Sequence, residues 1–153
     1  MCRARPKLNE RNETNGKQHV QEKQKERSMM NDQKEQFAFD TNSMEWEKEW
    51  SDYNKQHLLT KHLLKDGDTG MIINRIIYPK GFKTRWHTHP CSHGIYVLNG
   101  KLKTDKGVYG PGSFVWFPEG VLAEHGSVPE EDVEVLFITN KAFEIHFQDG
   151  GSI

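Results

Sequence analysis

The sequence has 153 residues, a length that allows one ordinary domain, or a smaller domain with an appended segment, and that excludes two sizeable domains. Its 21 basic and 22 acidic residues give a net charge of -1, which argues against binding to nucleic acid or to a membrane surface. The sequence has no apolar run of about 18 residues and its first residues lack the apolar core of a secretory signal, so we expect a soluble cytoplasmic protein.

The first 36 residues differ in composition from the rest of the chain. They contain 15 charged residues and no Phe, Trp or Tyr, so they cannot bury enough apolar surface to offset roughly 1 to 2 kcal/mol of backbone entropy per residue. We therefore predict a disordered polar tail over residues 1–36 and a folded domain over residues 37–153. A second hypothesis is that translation starts at Met29 or Met30 and that residues 1–28 result from a wrongly assigned gene start.

The folded part begins with a predicted short helix and continues as strands. Residues 44–50 follow a run of polar residues suited to capping a helix, and Trp46 and Trp50 would share one face of that helix. From Gln56 onward, short apolar runs alternate with glycine- and proline-containing turns at a spacing of roughly ten residues. Such spacing, without an intervening helical pattern, is typical of an all-β sandwich or barrel.

Two of these runs also predict which side chains face the interior. In the first, Ile95 and Val97 have the same parity and are expected to point inward, whereas Tyr96 is expected to point outward. In the second, residues 114–117 are apolar on both faces, which predicts a strand that is buried on both sides.

Four of the eight histidines are concentrated around a few neighbouring predicted strands. His87 and His89 alternate on one strand, so their side chains point the same way, about 7 Å apart. Pro90 should end that strand and let His93 enter the next one facing the same side, while His125 reaches this side from two strands later. Converging neutral imidazoles suit a divalent ion such as Fe, Zn, Ni, Cu or Mn, and two cysteines are too few for a tetrahedral thiolate site.

The glycines and histidines of this region resemble the two sequence signatures of the cupins. The first signature is matched by Gly81, His87, His89 and Gly100, with His93 at the position of its glutamate. The second is matched by Gly112, Pro118, Gly120 and His125. The resemblance implies a cupin jelly-roll β-barrel over residues 37–153 and a metal ion held by His87, His89, His93 and His125.

Two departures from the cupin pattern bear on the ligands. His93 stands where most metal cupins have a glutamate, which gives a three- or four-histidine centre and makes the ion more electrophilic toward a chelating enolate or carboxylate. Four residues, instead of the usual two, separate Gly120 from His125. Either a bulge realigns His125 or Glu124 takes the inward position, and strand parity does not separate these cases.

Within the cupins, the segments 61–66, 78–81 and 96–100 look like a single-domain group that includes acetylacetone-cleaving and dihydroxyacetophenone-cleaving dioxygenases and the cupin domain of ChrR-type anti-sigma factors. This resemblance implies cleavage of a carbon–carbon bond in a small diketone or hydroxyketone by O₂ at a mononuclear non-haem metal. Fe(II) is the favoured ion, with Zn, Ni or Mn as alternatives.

Two other functions stay open. The first is a non-catalytic sensor of the ChrR type that binds a metal or small molecule, although residues 1–36 contain no Cys/His set for the zinc-binding domain expected before such a cupin. The second is a metal-assisted isomerase or lyase acting on a sugar-like substrate, which predicts more polar inward residues than Ile95, Val97 and Phe114 supply.

Two further residues have candidate catalytic roles. Arg85 shares the parity of His87 and His89, so we expect its guanidinium in the interior, where it could hold a substrate carboxylate or stabilise an enolate, with a structural ion pair as the alternative. Glu124 could act as a base or accept a hydrogen bond from a ligand imidazole. The expected partners are a small-molecule substrate and, by the cupin resemblance, a second copy of the chain in a homodimer, with no nucleic acid and no membrane.

Overall fold

The computed structural model describes residues 36–52 and 54–148, and every regular element in these ranges is a β-strand. The chain divides into two units, Met1–Phe37 and Ala38–Ile153, and all the described strands belong to the second unit. Apart from residue 36, the predicted tail lies outside the described residues, as does the hypothesis about residues 1–28. The described part of the chain contains no helix that could cross a membrane.

Two layers of strands build the domain. The strands in the described ranges are β1 (Glu47–Ser51), β2 (Gln56–Lys65), β3 (Ile72–Tyr78), β4 (His87–Thr88), β5 (His93–Asn99), β6 (Leu102–Thr104), β7 (Gly107–Tyr109), β8 (Phe114–Phe117), β9 (His125–Ser127), β10 (Val133–Thr139) and β11 (His146–Phe147). Six of them form an antiparallel sheet in the order β1-β2-β3-β10-β5-β8. The second layer consists of two smaller sheets, β11-β4 and β7-β6-β9, which are joined by bridges from Lys83 to Gly126 and from His87 to Ala123.

The all-β prediction is confirmed, but the predicted closed barrel is not observed. The described strands are divided among three sheets. In the second layer, only isolated bridges connect the sheet β11-β4 with the sheet β7-β6-β9. The physical reason is the shortness of its strands, since β4 and β11 contain two residues each and β9 contains three. Strands of this length cannot sustain the continuous ladder that closes a barrel.

The helix predicted over residues 44–50 is also corrected, because Glu47–Ser51 is the edge strand β1. This strand pairs antiparallel with β2 along its whole length. A short isolated helix is only marginally stable, so the hydrogen bonds offered by the ten-residue strand β2 override the local preference for helix. In the structure, Nζ of Lys61 lies over the ring of Trp46, 4.5 Å from its centroid, and Trp50 is 51% exposed.

One apolar core lies between the layers. In β5, Ile95 and Val97 are completely buried and Tyr96 is 39% exposed, as the alternation of the sequence predicts. The second layer contributes Phe82 and Leu102 to the same cluster, with exposures of 1% and 0%. Side chains from both layers therefore exclude water from the space in which the histidines are placed.

β8 is buried on one face only, contrary to the prediction. Phe117 is 6% exposed, whereas Phe114 and Trp116 are 56% and 52% exposed. β8 is the edge strand of the six-stranded sheet, and its outer face is open to solvent. Phe114 therefore does not line the interior, and it no longer counts as evidence against a polar substrate.

Gly126, in β9, lies where two segments of the second layer approach closely. A Cβ at this position would be 1.9 Å from the carbonyl oxygen of Phe82 and 3.0 Å from Cα of Lys83. Both neighbours are backbone atoms, so Gly126→Ala must force the segments apart. We expect it to lower the free energy of unfolding, measured by urea denaturation, by about 3 kcal/mol.

The matched control for this substitution is Gly110→Ala. A Cβ on Gly110 would meet no atom within 4 Å, so this variant should stay within about 0.5 kcal/mol of the wild-type protein. Equal stability of Gly110→Ala and Gly126→Ala would contradict the close approach seen at Gly126.

Candidate metal centre

Three histidines of the second layer converge in the interior. His87 begins β4, His89 follows directly after this strand, and His125 begins β9. The bridge between His87 and Ala123 places β4 beside the residues that lead into β9. One ligand atom from each of the three imidazoles lies within 4.8 Å of the other two, and none of the three residues is more than 5% exposed. This group could therefore hold a metal ion.

Backbone carbonyl groups orient two of these rings. Nδ1 of His87 donates a hydrogen bond to the carbonyl oxygen of Arg85 at 2.6 Å, and Nδ1 of His89 donates to that of Glu144 at 2.5 Å. Because a carbonyl oxygen only accepts, each bond places the proton on Nδ1 and leaves the lone pair of Nε2 available to a cation. Metal-binding histidines are usually held in this way by a partner of their second nitrogen.

Several buried ring nitrogens of this region have no hydrogen-bond partner among residues 36–52 and 54–148. They are Nε2 of His87 and both ring nitrogens of His93 and His125. A buried polar atom without a partner costs about 1 to 3 kcal/mol, and native proteins contain few of them. These unpartnered nitrogens cluster beside imidazoles that backbone carbonyl groups hold in place, an arrangement that fits a divalent ion bound by His87, His89 and His125.

Burial keeps the imidazoles in the form that binds a metal. It lowers the pKa of His89 to about 4 and the pKa of His93 to about 3. The pKa values of His87 and His125 are also lowered by burial, that of His125 well below the ordinary value for histidine. These rings are therefore neutral at pH 7, and neutral imidazole is the metal ligand.

Phenyl rings enclose the histidines. The ring of Phe143 lies 4.7 Å from that of His89, and the ring of Phe147 lies 6.1 Å from that of His87. An apolar wall strengthens electrostatic interactions inside a site and limits the access of water.

His93 lies beside the three-histidine group, on the opposite layer of the domain. It belongs to β5 in the six-stranded sheet, is 2% exposed, and has its ring centroid 4.6 Å from that of His89 and 6.1 Å from that of His125. The set of ligand atoms that lie within 4.8 Å of one another contains His87, His89 and His125 and does not include His93.

The structure places His125, and not Glu124, with the ligand group. Ala123 and His125 are both buried, and Glu124 between them forms an ion pair with Lys83, whose Nζ is 2.8 Å from Oε2. The two additional residues of the second signature are accommodated before Ala123, where residues 121 and 122 are exposed. Ala123 and His125 both point inward, and the register shifts by one residue between the His87–Ala123 and Lys83–Gly126 bridges, so a local irregularity accompanies the placement of His125.

Arg85 lies at the side of the cluster. Strand β4 contains only His87–Thr88, so strand alternation does not extend back to Arg85. The guanidinium carbon of Arg85 is 5.1 Å from the ring centroid of Phe147, and the residue is half-buried. Its established contribution to the cluster is the backbone carbonyl that orients His87.

Sequence reasoning missed the contribution of residues 143–147. Glu144 orients His89 through its carbonyl oxygen, Phe143 covers the same ring, and Phe147 in β11 pairs with His87 in β4. The bond from His89 to Glu144 joins positions 55 apart in the chain and uses a group that every residue carries. No local pattern in the sequence could have indicated it.

Comparisons with known proteins agree with this fold. The family described as the ChrR cupin-like domain matches residues 34–144. A cupin-like protein from Thermotoga maritima is 24% identical, with a TM-score of 0.54 over 68% of this chain and 80% of that protein. A candidate acetylacetone dioxygenase from Methylibium petroleiphilum is 13% identical, with a TM-score of 0.66 over 79% of this chain and 88% of that protein.

A third solved structure, a candidate sugar phosphate isomerase from Acidithiobacillus ferrooxidans, is 25% identical, with a TM-score of 0.58 over 75% of this chain and 81% of that protein. No curated protein matches the sequence. Because relatives with such different names share the fold, these likenesses support the architecture and leave the reaction open. The family match spans well over half of the chain, and the protein therefore belongs to the ChrR cupin-like domain family.

Proposed function

We propose that this protein is a mononuclear non-haem dioxygenase that cleaves a small diketone or hydroxyketone at a divalent ion bound by His87, His89 and His125. The observation that carries the proposal is the convergence of three buried imidazoles, two of them anchored through Nδ1, on one point of an apolar interior. Three neutral ligands leave the charge of the ion uncompensated, which favours an anionic enolate as substrate.

The side chains around the ligand group have separate tasks in this proposal. When bound, Fe(II), the ion we favour over Zn, Ni or Mn, supplies Lewis acidity toward an enolate and the electrons needed to activate O₂. Phe143 and Phe147 exclude water from the reacting substrate. The guanidinium of Arg85, beside Phe147, attracts and holds an anionic group of the substrate. Glu124 forms an ion pair with Lys83 and has no role in the proposed reaction.

A non-catalytic sensor is the second candidate, favoured by the match to the ChrR cupin-like domain over residues 34–144. The same three histidines would then bind a metal or a small molecule and signal to a partner without turnover. A metal-assisted isomerase or lyase is a further alternative. In each case we propose a cytoplasmic homodimer, and the exposed Phe114 and Trp116 of the edge strand β8 support an association through this region.

An oxygen electrode separates these functions. Protein loaded with Fe(II) should consume O₂ in the presence of small β-diketones or hydroxyketones, whereas metal-free protein, Zn(II)-loaded protein and His125→Ala should not. Metal binding without any conversion of substrate would support the sensor. Conversion of substrate without O₂ uptake would support the isomerase or lyase. Failure to bind any divalent ion would contradict the dioxygenase and the isomerase or lyase, and would leave only a sensor of a small molecule.

A further inference from the structure

His93 faces the ligand group from the opposite layer of the domain. His87, His89 and His125 all belong to the second layer, whereas His93 is the first residue of β5 in the six-stranded sheet. Its ring is close to two of them, with centroids 4.6 Å from His89 and 6.1 Å from His125. A small molecule that binds between the ligand group and the six-stranded sheet therefore meets His93.

Packing fixes the plane of the His93 ring. The ring stacks on Phe117 with the centroids 4.6 Å apart and the planes inclined by only 8°. It also lies 5.1 Å from Phe137 and meets His89 nearly edge-on, at 84°. Contacts on a face and on an edge leave the ring little freedom to rotate. A polar group held in this way is already ordered before a ligand arrives, which lowers the entropic cost of binding.

The hydrogen-bonding capacity of His93 is not used within the part of the chain that the structure describes. The residue is 2% exposed, yet neither Nδ1 nor Nε2 has a partner there. The unpartnered nitrogens of His87 and His125 are accounted for by their place in the ligand group, but His93 lies outside that group. An apolar side chain could fill this position without leaving buried polar atoms unsatisfied. The free-energy cost of the buried imidazole is offset if a polar ligand binds to it, and we therefore expect such a ligand.

We propose that His93 does not ligate the ion but donates a hydrogen bond to an anionic oxygen, of an enolate or a carboxylate, on the small molecule that binds beside it. The inference rests on the proposed function in requiring the ion at the three-histidine group, and it does not require turnover. A hydrogen bond to a charged oxygen is about twice as strong as one between neutral groups. His93 then selects small molecules that carry such an oxygen and discriminates against those that lack it.

The test compares three variants of the full-length protein loaded with Zn(II), which does not reduce O₂, with acetylacetone as the probe. His93→Phe keeps a flat ring and removes both nitrogens, His93→Gln keeps an N–H donor, and His57→Phe changes an exposed histidine away from the ligand group. Zn(II) affinity is measured by competition with a chromophoric chelator, and acetylacetone affinity by isothermal titration calorimetry.

We expect His93→Phe to bind Zn(II) as the wild-type protein does and to bind acetylacetone about 10-fold or more weakly, the loss that follows from removing one hydrogen bond to a charged group. His93→Gln should recover most of the acetylacetone affinity, and His57→Phe should match the wild-type protein in both measurements. Far-UV circular dichroism checks the fold. If His93→Phe does not fold, His93→Leu, a smaller side chain without a donor, takes its place.

The other outcomes distinguish failure of the inference from failure of the proposed function. Loss of Zn(II) affinity in His93→Phe as large as in His125→Ala would make His93 a ligand, which overturns the inference and leaves the dioxygenase proposal standing. Unchanged acetylacetone affinity in His93→Phe, or no binding of acetylacetone to Zn(II)-loaded wild-type protein, would also overturn it. Failure of the wild-type protein to bind Zn(II) would overturn the inference together with the three-histidine site.

Discussion

Replacing His89 by alanine should abolish stoichiometric metal binding. The imidazole of His89 is one of three ligands whose donor atoms lie within 4.8 Å of one another, and the carbonyl of Glu144 holds it in a single orientation. Changes to groups that only support a ligand weaken metal affinity by about 10- to 100-fold, so loss of the ligand itself should exceed that range. Metal content after dialysis, measured by inductively coupled plasma mass spectrometry, and competition with a chelator give the change in affinity.

The result for His89→Ala must be compared with the same substitution at a histidine that does not bind the metal ion. His57→Ala is a suitable control, since His57 is exposed and contacts Trp50 instead of the ligand group. It should keep one metal ion per chain with unchanged affinity. If His89→Ala retains its metal as fully as His57→Ala does, His89 is not a ligand and the geometry of the three-histidine group has another explanation.

The metal-free protein should lose stability as the pH falls below 6.5, the ordinary pKa of histidine. Above this pH the buried imidazoles are neutral in both the folded and the unfolded chain, and they contribute no pH dependence. In the folded chain burial lowers the pKa of His89 to about 4 and that of His93 to about 3. Between pH 6.5 and these values the unfolded chain takes up protons that the folded chain does not, so the free energy of unfolding decreases.

The size of this acid effect follows from the lowered pKa values. One pKa unit corresponds to about 1.4 kcal/mol, and pH 5 lies about 1.5 units below the ordinary pKa of histidine, so His89 and His93 should each lower the free energy of unfolding by about 2 kcal/mol at pH 5. Urea denaturation of metal-free protein at pH 8, 7, 6 and 5 measures the decline, which is expected to begin between pH 7 and pH 6. His93→Phe should decline less steeply because one of the titrating groups is absent. A free energy of unfolding that stays constant from pH 8 to pH 5 would contradict this explanation.

Several features of the fold follow from the sequence because they depend on neighbours along the chain. The alternation that predicts Ile95 and Val97 inside and Tyr96 outside is a property of any extended strand, and the structure confirms it. The spacing of His87 and His89 is of the same kind, because two positions along an extended chain bring side chains to the same side.

The local pattern was insufficient where a partner distant in the chain decides the conformation. Residues 44–50 have a sequence compatible with a short helix, but Glu47–Ser51 became a strand because β2 is available to pair with it. Phe114 and Trp116 have the apolar side chains of core residues and are instead exposed, because β8 is the edge of its sheet. Apolar character alone does not reveal whether a second layer covers a strand face.

By itself, the sequence predicted the all-β class and the pair His87 and His89 on one side of a strand, because turn residues and the His-x-His spacing act over a few residues. His93 and His125 were predicted as further ligands from later strands and from the cupin signatures. Only the tertiary structure decided that His93 faces these ligands from the other layer and that Glu124 turns to Lys83. Only the tertiary structure also identified residues 143–147 as the segment that orients and covers His89. Which layer a strand joins, and which carbonyl meets an imidazole, depend on contacts between residues far apart in the chain.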